Sequence, residues 1–283
     1  MIGKLLMGTG VAGGTAVAAN ERAKSKVLSA VDVPAPYQVE GPVVSIIIPA
    51  YNEEDYLPVL LSTIRHQTYY NVEIIVVDDA SEDRTKEVAE SYGALVVEKI
   101  DGVQNVAKSR NMGAKYATGH YLVFADADGA FEHSLVEKTV KELDKGKVLV
   151  YSNHCSTDDV IQGTIRVIIG YLDPVSNETL SYLTNLVSIN GQYIAVTKEA
   201  FEAVGGYNEA LTPEGAYGED RRFAMDVMER YGIDKVGFLR WTFSGTSSRR
   251  AKKMGYLGDI TNRFKRYFQV GTHEPMDRQK AIR

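Results

Sequence analysis

The chain alternates between short apolar runs and stretches in which apolar residues return every three or four positions. Val43 to Ile48 is a nearly unbroken apolar run, as expected of a strand buried on both faces. Leu57, Leu60, Leu61 and Ile64 follow at helical spacing, with Pro58 where only the first turn of a helix tolerates it. Val72 to Val77 is a second strand. Ser81 is expected to cap a helix that carries Glu82 and Asp83 in its first turn, buries Val88, Ala89 and Tyr92, and ends at Gly93. Leu95 to Val97, Tyr121 to Ala125 and Val148 to Tyr151 read as further strands, with helices over Gln104 to Thr118 and Phe131 to Leu143. The second half is less regular. Ser188 to Thr197 has strand character, Lys198 to Val204 is helical and broken by Gly205-Gly206, and a helix from Gly218 to Tyr231 puts Phe223, Val227 and Tyr231 on one face. This β-α-β-α alternation predicts an α/β fold with a mostly parallel central sheet flanked by helices.

In such sheets ligands sit beyond the carboxyl ends of strands. Here those ends are polar and mostly acidic, and Tyr51, Asp79 and Asp128 each lie just past one. Asp126 and Asp128 follow the run YLVFA, with a turn expected at Gly129. The pair suits a hard cation such as Mg2+ or Mn2+, which also binds phosphate oxygens. Asp78-Asp79 follows IIVV, where a carboxylate can accept a hydrogen bond from a base N–H or a ribose hydroxyl. Arg110, in AKSRNMGA, can cover a base or phosphate or be an exposed helix arginine. Glu219-Asp220 opens a helix, whose dipole keeps a carboxylate ionised, as a general base requires at neutral pH. Simple dipole capping is the plainer role of that position.

Composition narrows the classes. A chain of 283 residues, 44% hydrophobic and 24% charged, suits one large α/β domain or two small ones. Its single cysteine excludes an internal disulfide framework and a multi-cysteine zinc site. Cys155 stands beside His154, but no third member of a nucleophilic triad is evident. The net charge of −5 hides an asymmetry, because from Arg240 onward there are eleven Lys and Arg against three Asp and Glu. A basic tail on an acidic body fits an anionic surface or a phosphorylated ligand. Leu5 to Asn20 is uncharged and rich in Gly and Ala, a flexible leader or weak membrane contact. Val31 to Pro42 holds three prolines and reads as a linker.

The stretches PAYNEEDYLPVLL, Gln67-Thr68, EIIVVDDASEDRT, SRNMGA, FADADG, GGYNE and GED occur in this order from about Val43 to Tyr231. As an ordered set the chain resembles the inverting family 2 glycosyltransferases of the GT-A fold. The resemblance implies one domain over 43–240, with a nucleotide-binding half (about 43–130) and an acceptor half (about 131–240). Residues 1–42 then form the leader and linker, and 241–283 a basic, partly amphipathic tail. It implies metal-dependent, inverting transfer of a sugar from a nucleoside-diphosphate sugar, with UDP-sugar first, to an acceptor hydroxyl or lipid phosphate. Pro49, Tyr51 and Glu53 match positions around the donor nucleotide. Asp79 matches the aspartate that recognises the base, and Arg110 an arginine near it. Asp126 faces ribose and metal, Asp128 is the principal ligand of Mn2+ or Mg2+, and Asp220 is the catalytic base.

The sequence departs from the polyprenyl-phosphate sugar synthases at Ala130, where they often have glutamine. His154 and His273 are positions from which a histidine could complete a metal shell, and neither is assigned. The tail resembles the Ser-x-Arg-Arg stretch of some members, which implies that Arg249 and Arg250 close over the donor diphosphate. Beyond them Tyr256, Leu257, Ile260, Phe264, Tyr267 and Phe268 share a helical face flanked by Lys and Arg. Such a helix either lies on an anionic membrane or packs on the protein's own body. A cytoplasmic enzyme, in peripheral contact with the cytosolic membrane face, is the expected setting. A sugar-1-phosphate nucleotidyltransferase is disfavoured because PAYNEED stands where its basic, glycine-rich loop belongs. A non-catalytic sugar-nucleotide-binding module is the other reading, and its usual losses of metal aspartates or base are not seen. No nucleic-acid-binding motif is present, so no nucleic-acid partner is expected.

Overall fold

Four of the predicted strands form a parallel set. They are Val44–Ala50 (β1), Val72–Asp78 (β2), Leu95–Glu98 (β3) and Tyr121–Ala125 (β4), and β1 pairs with both β2 and β4 while β2 pairs with β3. In this computed structural model, residues 41–99, 104–156, 191–211 and 218–246 are described. The register runs from Val44 opposite Val72 to Ala50 opposite Asp78, and Asp78 lies opposite Glu98. The chain therefore leaves these strands at one common edge. Four more strands extend the sheet: Gly129–Phe131 (β5), Leu149–Ser156 (β6), Tyr193–Thr197 (β7) and Val236–Thr246 (β8). Among the described residues the order is β3-β2-β1-β4-β7-β6-β8-β5, with β7 antiparallel to β4 and β6, β6 parallel to β8, and β5 antiparallel to β8.

Alternate residues of β1 feed two cores, as the period of two requires. Val44, Ile46 and Ile48 pack with helices Leu57–Arg65 (α1), Thr85–Ser91 (α2) and Leu135–Asp144 (α4). On the other face Ile47, with Ile75 and Val77 of β2, packs with Val106–Tyr116 (α3), Lys198–Val204 (α5) and Glu219–Tyr231 (α6). The expected face of α1 is fully buried through Leu57, Leu60, Leu61 and Ile64, each contributing about 2 kcal/mol of transfer free energy. Gly113 lets α3 approach the sheet closely, since a Cβ there would meet Ile47 Cγ2 at 2.5 Å. Asn105 caps α3 by accepting from the Lys108 N–H at 3.0 Å.

Several boundaries differ from the sequence reading. Ser81 does not cap α2. Its hydroxyl accepts from the Asn52 N–H instead, and the Thr85 N–H at the start of α2 is met by Asp83 Oδ1 at 2.9 Å. Phe131 belongs to β5 rather than to a helix, because the chain turns after Asp126, where the Gly129 N–H donates to the Asp126 carbonyl at 3.0 Å. The helix that follows begins at Leu135. Its first turn is fixed by Gln67, whose Oε1 accepts from the Val136 N–H at 3.0 Å while Nε2 donates to the carbonyls of Thr63 and Glu132. β8 runs on to Thr246, so the sheet continues past the expected boundary at 240. The leader, Arg249, Arg250, His273 and the amphipathic tail lie outside the described residues. His154 and Cys155 fall within β6.

The opposite edge of the sheet is stapled by one carboxylate. Glu73 accepts from the Ser45 hydroxyl, from the Thr118 N–H and hydroxyl at 2.6 and 2.9 Å, and from the Gly119 N–H at 3.1 Å. Burial favours the neutral acid, but these hydrogen bonds outweigh it and hold Glu73 below its ordinary 4.5. A group depressed in the folded state stabilises above its unfolded pKa, and that stabilisation is lost as pH falls through the folded one. Glu73→Gln is therefore expected to cost about 2 kcal/mol in urea unfolding at pH 7. The wild-type and variant stabilities should converge as the pH falls below the ordinary glutamate range.

Candidate active site

Two loops leave the common edge after β1 and β2, and they are tied to one another. The Asn52 N–H donates to Ser81 Oγ at 3.0 Å, and Asn52 Oδ1 accepts from the Glu82 N–H at 2.8 Å. The Glu53 N–H donates to Thr85 Oγ1 at 2.7 Å, and the Asp79 N–H to the Ala50 carbonyl at 2.8 Å. Asn52 and Ala80 both take left-handed backbone conformations, with φ of 52° and 59°. For alanine this is strained, and the cross-ties hold it in place. On this rim Pro49 is half-buried, Tyr51 is exposed and Glu53 is buried. Asp79 is buried too, bonded to the Lys99 ammonium through Oδ1 and to the Ser109 hydroxyl through Oδ2.

Arg110 is neither exposed nor laid along a rim. It shares the sheet-facing stripe of α3 with Ala107, Gly113 and Ala114, so its side chain runs beneath the site and is almost fully buried. Nη2 reaches Asp126 Oδ1 at 3.0 Å and the Gly191 carbonyl at 3.4 Å. Nη1 reaches Glu219 Oε1 at 3.0 Å and also Asp220 Oδ1. The guanidinium carbon lies 5.1 Å from the centroid of Tyr207, which stacks on Phe223 at 4.4 Å. Tyr207 is held by Asn111, which accepts from its N–H and donates to its carbonyl, both at 2.8 Å. Burial opposes the charge on Arg110, but Asp220, Tyr207, Asp126 and Glu219 overcome it and raise its pKa further.

Three carboxylates thus share one guanidinium, and two of them, Asp126 and Asp220, ionise less readily than usual. Burial is the largest influence on Asp220 and pushes it up. Arg110 pulls it back, Glu219 and Asp126 add to the rise, and the result is about 7. The helix dipole was expected to keep this group firmly ionised. Burial to 18% exposure and two neighbouring anions override it, because a helix end carries only about half a charge. Asp126 is raised to about 6, first by burial and then by Asp128 and Glu219 against Arg110. Its side chain is 37% exposed, so solvent moderates that shift.

Asp126 and half-buried Asp128 stand on the tight turn after β4. Both offer hard oxygen donors in a neighbourhood where Asp126, Glu219 and Asp220 share one arginine, and a divalent cation would relieve that excess of negative charge. Among the described residues no three His, Cys, Asp or Glu side chains form a complete cage. A cation held by Asp126 and Asp128 would take its remaining ligands from phosphate oxygens and water.

Of the residues singled out in the sequence, Asp126, Arg110 and Asp220 are brought into one cluster. Asp79 lies in a second cluster with Lys99 and Ser109. Lys99, Ser109, Tyr207 and Gly191 carry no chemical role legible along the chain, and Glu219 stands out there only as the neighbour of Asp220. Gly191 has no room for a side chain, since a Cβ would fall 1.7 Å from Asp220 Oδ2. Only the GGYNE stretch hinted at Tyr207. Nothing local marks Lys99, whose partner lies twenty residues earlier.

The family model described as Glycosyl transferase family 2 matches residues 45–205, more than half of the chain. An uncharacterized glycosyltransferase of Haemophilus influenzae is 32% identical over 171 residues, 59% of this chain and 57% of that protein. The glycosyltransferase GlyG of Streptococcus pneumoniae serotype 4 is 29% identical over 121 residues, 41% of this chain and 40% of its own length. The chain spans between 30% and 57% of the length of such curated relatives. The mannosyltransferase PcManGT of Pyrobaculum calidifontis, in complex with GDP-Man and Mn2+, matches with a TM-score of 0.58 at 19% identity, over 93% of this chain and 73% of that one. S. aureus TarS 1–349 in complex with UDP matches with a TM-score of 0.53 at 20% identity, over 72% and 61%. At these identities the likeness is one of fold.

Proposed function

The chain belongs to glycosyl transferase family 2 and has the GT-A fold, and from that premise we propose that it moves a sugar from a nucleoside-diphosphate sugar to an acceptor hydroxyl, inverting the anomeric centre. The observation that carries this reading is the Arg110 cluster, which joins Asp126 on the donor edge to Asp220 at the head of α6. Asp220 accepts the acceptor's proton. The acceptor oxygen bonds to the anomeric carbon as the bond from that carbon to the diphosphate oxygen breaks, and the nucleoside diphosphate departs. One base suffices for this, whereas a hydrolase needs a second carboxylate flanking the bond. A lipid phosphate as acceptor is already ionised and has no use for Asp220, so a hydroxyl fits the site better.

Asp126 and Asp128 would hold Mn2+ or Mg2+, which supplies Lewis-acid neutralisation of charge on the leaving diphosphate. Pro49, Tyr51, Glu53 and Asp79 surround the nucleoside, and Arg249 and Arg250 are placed over the diphosphate by resemblance alone. UDP-sugar is the first donor to try, since S. aureus TarS binds UDP and UDP-GlcNAc. GDP-sugar is the second, because PcManGT was solved with GDP-Man. No described helix is long and apolar enough to cross a membrane. A cytoplasmic site of action follows from the supply of nucleotide sugars, and contact with the membrane face from the basic tail.

The test is a thermal-shift panel of nucleoside diphosphates and nucleotide sugars, with Mn2+ and with chelator. A ligand at a hundred times its Kd adds about 2.7 kcal/mol. The stabilisation is expected with metal only, and Asp128→Asn should abolish its metal-dependent part. An equal shift in chelator would remove the metal from the scheme. Nucleotide binding without transfer, across a panel of hydroxyl acceptors, would favour a non-catalytic binding module.

A further inference from the structure

Gly191 is buried just before β7, whose Tyr193 pairs antiparallel with Ala125 of β4, so it lies beside the turn that carries Asp126. Its carbonyl accepts from Arg110 Nη2 at 3.4 Å, while Nη1 of the same guanidinium holds Asp220 Oδ1. The backbone does not call for glycine here, because the φ of Gly191 lies outside the left-handed region. What calls for it is space. A Cβ at 191 would land on the Asp220 carboxyl, closest to Oδ2, then Cγ, and 2.8 Å from Oδ1, and these are the three nearest atoms it would meet. The room left by the missing side chain is thus taken by one carboxyl group. Its Oδ1 is committed to Arg110, whereas Oδ2 accepts no hydrogen bond among the described residues, and the side chain keeps 18% of its surface open.

We propose that Gly191 is a positioning residue for the base: by presenting no side chain it lets Asp220 rest Oδ1 on Arg110 and offer Oδ2 to the acceptor's proton. This rests on the transfer reading above. In that step the acceptor's O–H proton passes to Oδ2, the acceptor oxygen bonds to the anomeric carbon, and the bond from that carbon to the diphosphate oxygen breaks. The lone pair of Oδ2 must therefore point at the acceptor hydroxyl. With alanine at 191 it could not keep that aim, since ordinary contact with a methyl group begins at 3.4 Å. The strand cannot give way instead, because β7 is paired on both sides, with β4 and with β6. The carboxyl would turn aside, and a misplacement of about 1 Å at a reacting group already costs about 10²-fold in rate.

The test measures sugar transfer and nucleoside-diphosphate binding on the full chain in Mn2+, with Gly191→Ala alone and in the Asp220→Asn background. Gly191→Ala should lower kcat by about 10²-fold, while the donor KM and the nucleoside-diphosphate Kd change by less than about threefold. Asp220→Asn has already lost the proton acceptor, so adding Gly191→Ala there should lower the residual kcat by no more than about twofold. A glycine needed only for folding, or for contact with the sugar, would give losses that multiply, and that result overturns the proposal. Should Gly191→Ala not fold, melting temperatures decide. Asp220→Ala removes the carboxyl that the new methyl meets, so the double variant Gly191→Ala/Asp220→Ala should melt within about 2 °C of Asp220→Ala. A double variant that also fails to fold would place the strain elsewhere and overturn the proposal. A wild-type protein that binds nucleotide but transfers to no hydroxyl acceptor would sink the transfer reading and this role with it. Multiplying losses in an active enzyme remove the role of Gly191 alone.

Discussion

Replacing Asp220 by Asn is expected to lower the turnover of sugar transfer by about 10²- to 10⁴-fold, with nucleoside-diphosphate affinity left essentially unchanged. Asn is isosteric and can still accept from Arg110, so the cluster keeps its geometry and loses only its proton acceptor. Burial raises Asp220 first, against Arg110 and with Glu219 and Asp126, to about 7. A base is active when deprotonated, so kcat/KM should climb with pH through about 7 and level off above it. A bound divalent cation near Asp126 would draw that value down. Steady-state kinetics over pH 5 to 9, paired with nucleotide calorimetry, provide the check. A variant that loses transfer and donor binding in equal measure would show Asp220 to be a donor-site residue and not the base.

Arg110→Met is expected to destabilise the fold by about 3–5 kcal/mol in metal-free buffer, because breaking a buried ion pair strands its partners. The melting temperature should fall by roughly 10 °C for a domain of this size. The loss must depend on pH, and its sign follows from linkage. Asp126 and Asp220 already stand above their ordinary 3.8, and without the guanidinium they rise further. Groups raised in the folded state bind protons more tightly there, so the folded state gains as pH falls. The deficit should therefore stay small below about 6, where both folded proteins keep these carboxyls protonated, grow as pH rises through about 7, where only the variant keeps its protons, and be largest above it. Arg110→Lys should recover only part of it, since one ammonium cannot fork between Asp126 and the Glu219–Asp220 pair as a guanidinium does. A deficit that ignores pH would mean that lost packing on Tyr207, and not stranded charge, is the cause.

The donor edge was legible because it is made locally. A buried strand, the turn after it and the acidic residue at its end are consecutive, so IIVVDD and VFADAD announce their own positions. The sequence pattern starts the second helix at Ser81, which looks like a cap, whereas the helix begins at Thr85. The Ser81 hydroxyl has a partner in a different loop, and that competition is invisible along the chain. Phe131 reads as helical along the chain because apolar residues follow it at helical spacing, whereas pairing of β5 with β8 claims it for the sheet. β8 contributes residues more than a hundred positions away.

The α/β architecture, the sheet edge proposed for the donor and the acidic groups on it are all legible along the chain. These depend on hydrophobic period and on strand ends, both properties of neighbouring residues. The tertiary structure decided what each charge does. Arg110 reads as a rim arginine until the closeness of α3 to the sheet at Gly113 buries it among Asp126, Glu219 and Asp220. Asp220 reads as a firmly ionised helix-end carboxylate until burial lifts it to about 7. Lys99 reads as nothing at all until β3 lays it under Asp79. Ionisation and pairing are set by desolvation and by whatever lies within a few ångströms, and long-range packing alone fixes those distances.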